Sequence, residues 1–267
     1  MPGVDAIDVD QVRRALIRPG SLWQRIDLIP ETGSTNADLA EAARRGRPGG
    51  SVLITDYQSA GRGRQGRTWT APPGTSIAMS VLLRPAGVDP QRWTWLPLLT
   101  GLAVSEGVRR AAQLEAALKW PNDVLLDGRK FCGILAERVE TASGPACVIG
   151  MGINVWLTED ELPVPTATSL ALAAGEARGL APRRSAVIIA VLAALGPIIG
   201  QWQADDAALM TAYRARCLTL GRRVRVVLSE TSTVEGTATD IDPDGRLVVD
   251  TDTGRKAFGA GDVIHLR

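Results

Sequence analysis

The chain has one histidine, three cysteines and, among its 30 basic residues, only three lysines. The single histidine, His265, stands three positions from the end and reads as a side chain on a last strand. Histidine triads, HExxH zinc sites and histidine phosphotransfer are thereby excluded. Cys132, Cys147 and Cys217 fall at unrelated spacings, with no CxxC pair and no disulfide framework. With no secretory signal at the N-terminus, a cytoplasmic location is expected. The apolar runs near 95–104 and 186–199 are broken by Pro, Gly or polar residues and read as too short for membrane spans. Aromatics make up 4%, and 30 basic against 29 acidic residues leave a net charge of +1. That balance excludes a dedicated nucleic-acid or polyanion binder, while leaving room for a local basic patch.

What is present is ordinary for a globular protein: 267 residues, 45% hydrophobic and 22% charged. The length suits one large domain, or a large one with a small one. The lysines, Lys119, Lys130 and Lys256, are scarce enough to ask why arginine has not replaced them. Either the chain is simply biased toward arginine, or a compact ammonium is needed there.

Local patterns divide the chain. Residues 9–18 read as a short helix stopped by Pro19-Gly20, and 23–29 as a strand. Ser34 or Thr35 can cap a helix with Ala37, Leu39, Ala40 and Ala43 on its apolar face. Strands are expected at 51–57, 76–83 and 146–155, and a long helix at 93–112. Asp127-Gly128 between two apolar runs predicts a hairpin over 124–139. Helices fill 182–217, with breaks at Pro197 and Asp205-Asp206. Beyond Gly221 about five short alternating strands, separated by turn signals, predict a small SH3-sized β-barrel. The expected division is therefore 1–218 and 219–267.

Two segments carry chemistry. Residues 61–66, Gly-Arg-Gly-Arg-Gln-Gly, match GxGxxG, but a dinucleotide site needs a helix next. Here Pro72 and Pro73 follow and forbid one. The loop instead offers Arg62, Arg64 and Arg67 on a backbone that can approach a carboxylate or phosphate closely. A solvated basic loop is the plainer alternative. Trp69, at its end, can be core or a lid over a flat ligand. In the second segment, Lys119-Trp120-Pro121-Asn122-Asp123 precedes the hairpin that carries Lys130. Across such a hairpin Asp123 and Lys130 can meet, either as a surface ion pair or as a charged pair at a substrate. Gly133, and Gly150-Met151-Gly152-Ile153-Asn154, offer room for a ligand against a strand.

Together, Ser34-Thr35-Asn36, the run from Tyr57 to Arg67, Lys119–Asp123, Arg129–Leu135 and Gly152-Ile153-Asn154 resemble one family closely, the biotin–protein ligases. The order and spacing match over about 22–217, with the small C-terminal barrel beyond. The resemblance implies an α+β fold: a mixed sheet with helices on one side, like class II aminoacyl-tRNA synthetases, followed by an SH3-like barrel. It implies that biotin and ATP, with Mg²⁺, give biotinyl-5′-AMP. The biotinyl group then passes to a lysine of a biotin carboxyl carrier domain of an acyl-CoA carboxylase.

The same resemblance implies roles at matching positions. Ser34, Thr35 and Gln58 would meet the biotin ureido group. Arg62, Gly63 and Arg64 would close over the valeryl chain and phosphate. Lys130 would meet the biotin carboxylate and α-phosphate. Arg67, Trp69, Asn122 and Asn154 would lie on the adenylate side, and Asp123 would orient the acceptor lysine. The stretch 155–170 falls where the family covers the adenylate, and no residue in it is singled out. No metal ligand is assigned. Too few residues precede the core for the winged helix of repressor members, so no DNA partner is expected. No membrane partner is expected either, and the expected state is a monomer or weak homodimer. The nearest rival, a lipoate or octanoate ligase, typically carries an Arg-Arg-x-x-Gly-Gly-Gly motif and a nearby histidine, which this chain lacks. A binding module using the arginine loop on RNA is the rival of another class.

Overall fold

The computed structural model describes residues 5–175 and 182–266. Its centre is a seven-stranded mixed sheet of β1 (Arg25–Thr32), β2 (Ser51–Gln58), β3 (Ser76–Leu83), β4 (Ala117–Lys119), β5 (Asp123–Leu126), β6 (Arg129–Val139) and β7 (Ala146–Asn154). The spatial order is β1-β2-β3-β7-β6-β5-β4. Only β1 and β2 run parallel; the other neighbours are antiparallel. Asp127 and Gly128 both have positive φ (49° and 78°), as a tight two-residue hairpin turn requires, so the expected hairpin forms.

Alternation along the strands gives the sheet two different faces. Ile77, Met79 and Val81 of β3, with Ile149, Met151 and Ile153 of β7, point into the main core. That face is covered by α1 (Val9–Leu16), α3 (Trp95–Ala112) and α5 (Arg184–Gln203), with α6 (Ala208–Arg216) at the side; the short α4 (Leu170–Ala174) precedes α5 in the chain. The intervening residues face the other way. There Leu82, Val139 and Val148 meet Leu39, Ala40 and Ala43 of α2 (Thr35–Arg44) in a smaller cluster. Helices therefore cover both faces, not one as the resemblance implied. The second face is covered only at one end, and the site lies at the other.

Ser34 caps α2, accepting from Ala37 N at 3.4 Å, and Gly46 with positive φ ends it. Ala37, expected on the apolar face, is exposed, and Asn36 is buried in its place because its amide bonds into the sheet. Pro197 does not break α5, which runs through it with Leu195 and Ile199 buried in one core on either side. Shared burial against α3 outweighs the lost backbone bond. By length and composition α5 is apolar enough to cross a membrane, contrary to the sequence reading of that run. Here its buried residues pack against α3.

After α6, five strands form an antiparallel sheet: β8 (Arg223–Ser229), β9 (Ser232–Ile241), β10 (Leu247–Thr251), β11 (Gly254–Phe258) and β12 (Asp262–His265). The order β11-β10-β9-β8-β12 leaves two ends, so the expected closed barrel is, by its pairing, an open five-stranded sheet. Its inner residues Val224, Val226, Leu247 and Val249 belong to the same hydrophobic core as the large sheet. Trp95 and Trp120 tie the two sheets further, donating their indole N–H groups to Pro243 O (2.7 Å) and Gly245 O (3.1 Å).

Candidate active site

A cavity of about 670 Å³ opens on the second face of the large sheet, between its β4–β5 end and β12. One transverse row of directly paired residues, Ala78, Gly152, Gly133, Asp123 and Lys119, runs beneath it, and all but Ala78 line its floor. Paired residues point to the same face. The row therefore carries almost no side chain in the middle and two charged ones at the β4–β5 end. Trp69 fills the bare part. A Cβ on Gly152 would stand 2.4 Å from Trp69 Cε2, and one on Gly133 3.0 Å from Cζ3. Trp69 is thus neither part of the core nor a free lid; it lies on the floor and lines the cavity.

Trp69 Nε1 is buried with no hydrogen-bond partner, and so is Oδ1 of Asn154, two residues beyond Gly152 on the same side of β7. Asn154 Nδ2 is occupied, donating to Thr168 O at 3.0 Å. One open donor and one open acceptor therefore line a single cavity, a costly arrangement unless a ligand supplies the partners.

Lys130 reaches this face through a β-bulge. Cys132 pairs with Val124 and Lys130 with Leu125, so Phe131 is an extra residue on β6. In regular pairing Lys130 would point into the core. The bulge sends Phe131 there, fully buried, and turns Lys130 into the cavity. Its Nζ lies 2.6 Å from Asp123 Oδ1 and 5.8 Å from the Trp69 ring centroid. The freed backbone pairs elsewhere: Lys130 N donates to Thr166 O (2.7 Å), and Thr168 N donates to Lys130 O (2.8 Å). The 155–170 stretch thereby becomes a cavity wall, with Pro163, Val164, Thr166 and Ala167 lining it.

On the other side of Trp69 a polar chain runs under α2. Thr35 N and Oγ1 both donate to Gln58 Oε1, at 2.9 and 3.0 Å. Ser80 Oγ lies 2.7 Å from Thr35 Oγ1 and 2.6 Å from Asn36 Oδ1, and its single hydrogen serves one of them. Asn36 Nδ2 donates to Leu135 O (3.1 Å) and Glu137 Oε2 (2.7 Å), and Glu137 also holds Arg62 at 3.0 Å. A Cβ on Gly150 would stand 2.4 Å from Asn36 Oδ1, so this glycine makes room for the amide.

The arginine loop is a tight irregular turn, not the entry to a helix: Gly63 N donates to Arg67 O and Trp69 N to Gly61 O. Arg64 donates to Asn122 Oδ1 (3.1 Å) and to Gly261 O (3.3 Å) of the second sheet's β11–β12 connection. Burial pulls its pKa down, and it has no carboxylate within 4.0 Å among the described residues. Arg67 pairs with Asp262 at 2.7 Å. Arg62, Arg64, Arg67, Lys119 and Lys130 line the cavity against Asp123 and Asp262, so it carries a positive excess suited to an anion. Beside Lys119, burial together with the charges of Lys119 and Arg222 pushes His265 down to about 4, leaving it neutral. Among the described residues no group of three His, Cys, Asp or Glu could hold a metal ion.

Ser34, Thr35, Gln58, Arg62, Gly63, Arg64, Arg67, Trp69, Asn122, Asp123, Lys130 and Asn154, all singled out by sequence, line this one cavity. The sequence reading gave no part to Ser80 or Glu137, which tie Thr35 to Arg62 through Asn36. It also missed Asp262, which holds Arg67 from another domain-sized stretch of chain. Ser80 carries one usable signal, a hydroxyl interrupting the apolar run 77–83 of its strand.

Comparison with known proteins agrees with this geometry. Residues 29–154 match the biotin/lipoate A/B protein ligase family, and residues 219–266 match the biotin protein ligase C-terminal domain. The biotin–[acetyl-CoA-carboxylase] ligase of Mycobacterium tuberculosis is 44% identical over 98% of this chain and 96% of its own length. The bifunctional ligase/repressor BirA of Bacillus subtilis is 33% identical over 86% of this chain and 70% of its own. Among solved structures, a biotin protein ligase from Aquifex aeolicus in complex with biotin and ATP superposes with a TM-score of 0.76. That match covers 92% of this chain and all of the other, at 27% identity. With both sheets and the chain between them matched in one order, the chain belongs to the biotin protein ligase family.

Proposed function

We propose that this cavity joins biotin to ATP, giving biotinyl-5′-AMP and pyrophosphate, and then passes the biotinyl group to a lysine of a biotin carboxyl carrier domain. The observation that carries the reading is the Lys130–Asp123 pair at the end of a glycine floor, in a cavity with excess positive charge. In the first step a carboxylate oxygen attacks the α-phosphorus, and the bond to the β-phosphate breaks. Lys130 and Arg64 offset the repulsion between the two anions where water is scarce. The intermediate is the adenylate itself, so no side chain needs to be a nucleophile. Thr35 and Gln58 take the polar ring of biotin, with Ser34 and the Arg62-Gly63 turn beside it. Trp69 Nε1 and Asn154 Oδ1 supply an open donor and acceptor for the nucleotide, flanked by Arg67 and Asn122.

In the second step the neutral amine of the acceptor lysine attacks the biotinyl carbonyl. The bond to AMP breaks with its electron pair, and Asp123 orients the amine or takes its proton. Mg²⁺ would arrive with ATP, held by phosphate oxygens. The carboxylates in the cavity, Asp123 and Asp262, are each already paired with a cation. The same reading carries a cytoplasmic, monomeric or weakly dimeric enzyme with neither DNA nor membrane as partner.

The test is ATP–pyrophosphate exchange with biotin, lipoate and octanoate offered separately. Exchange with biotin alone is expected. Exchange with lipoate or octanoate instead would transfer the pocket to that rival chemistry. Retention of RNA without any biotin-dependent exchange would overturn the enzymatic reading.

A further inference from the structure

Lys119 is a cation of the cavity that the reading above leaves without work. It ends the floor row, directly paired with Asp123 across β4 and β5, so its side chain stands on the cavity face one strand beyond Asp123. The carboxylate of Asp123 is taken by Lys130 at 2.6 Å. Among the described residues no carboxylate lies within ion-pairing distance of the Lys119 ammonium, and no hydrogen bond engages it. Of the other cavity cations, Arg62, Arg67 and Lys130 each hold a carboxylate, and Arg64 holds two neutral oxygens. His265, the neighbouring titratable group on β12, is neutral and offers no countercharge. A half-buried lysine kept unpaired in this cavity is set up for an anion that arrives from outside.

We propose that Lys119 binds the pyrophosphate portion of ATP and holds it as it leaves. The inference rests on the proposed adenylation chemistry and extends it outward along the row. With the nucleoside at Trp69 and Asn154 and the α-phosphate at Lys130, the β- and γ-phosphates would run outward along the row toward β4, where Lys119 stands. When the bond between the α-phosphorus and the bridging oxygen breaks, its electron pair stays with pyrophosphate, and the charge there grows. An ammonium at that end stabilises the leaving group. It has no leaving group to hold in the transfer step, which contains no pyrophosphate.

The two half-reactions separate these roles. Lys119→Met should lower kcat/KM for ATP in biotin adenylation on the order of 10- to 100-fold, the loss of one charge-assisted contact to phosphate. It should weaken product inhibition by inorganic pyrophosphate by a similar factor. Transfer from supplied biotinyl-5′-AMP to a biotin carboxyl carrier domain should be unchanged, and Lys119→Arg should recover most of the adenylation. Thermal unfolding and biotin binding, followed by tryptophan fluorescence, should match the unsubstituted chain. Equal loss in both half-reactions, loss confined to transfer, or adenylation with unaltered pyrophosphate inhibition would each overturn the assignment. If the unsubstituted chain gives no biotin-dependent exchange, the adenylation reading itself falls. If it does and Lys119→Met matches it, only the role of Lys119 falls.

Discussion

The ammonium of Lys130 sits 2.6 Å from the carboxylate of Asp123, seven residues earlier in the chain and on the neighbouring strand. The pair is between one-fifth and about one-third exposed, at the charged side of a floor whose middle is glycine. Lys130→Ala should lower adenylation by roughly 10²–10³, about 2.7–4 kcal/mol, as for one preorganised donor. Asp123→Asn should depress transfer to the carrier domain more than adenylation. Single-turnover measurement of each half-reaction checks both; near-normal adenylation by Lys130→Ala would remove Lys130 from the chemistry.

Two glycines on one strand should fail in different ways. In Gly152→Ala the new methyl meets Trp69 at 2.4 Å, so the indole must move and KM for ATP should rise. In Gly150→Ala it meets Asn36 Oδ1 at 2.4 Å, so the chain to Thr35 and Gln58 shifts and biotin affinity should fall. Overpacking of this kind costs about 1–3 kcal/mol, roughly a five- to 150-fold change in the affected constant. Titrating each ligand against each variant distinguishes them; the same pattern in both would count against two separate subsites.

Arg64 holds the arginine loop to Asn122 and to the second sheet at Gly261 O. Arg64→Gly removes both bonds together with a desolvated charge. The adenylate should then dissociate faster by roughly tenfold or more, matching the loss of about 1.5–3 kcal/mol for a charged hydrogen bond. Retention of radiolabelled biotinyl-5′-AMP on the protein measures this, and unchanged dissociation would contradict it.

His265, the chain's one histidine, gives a pH signature free of overlap. Burial and the charges of Lys119 and Arg222 lower it from 6.5 to about 4. Below 6.5 the unfolded chain takes up a proton that the folded chain refuses until about 4. The group therefore costs stability as pH falls through that window and contributes nothing above it. Its imidazole resonances should titrate near 4 in the folded protein, and His265→Gln should flatten its share of the acid loss of thermal stability. A midpoint near 6.5 would show the ring to be freely solvated.

Much of this was legible in sequence because it is local. Asp127-Gly128 sets a hairpin, Ser34 caps a helix, and Pro72-Pro73 deny one after the arginine loop. What stayed hidden depends on residues far apart in the chain. Asn36 is buried because Leu135 and Glu137 accept from it, and no pattern within α2 announces that. Pro197 looked like a break because local propensity cannot weigh the core on both sides of it. Asp262 meets Arg67 across 195 positions, and a charged residue opening a short strand gives no hint of its partner.

The bulge at Phe131 makes the side on which Lys130 appears a matter of parity. Lys130 and Gly133 are an odd number of residues apart, so they share a face only while the bulge persists. Closing the bulge at unchanged length would turn the ammonium into the core, even with every residue named in the chemistry kept. Removing the bulged residue itself would restore regular pairing and leave the ammonium on the cavity face. Among relatives of this chain, a stretch one residue shorter should therefore lack the bulge and keep the same facing.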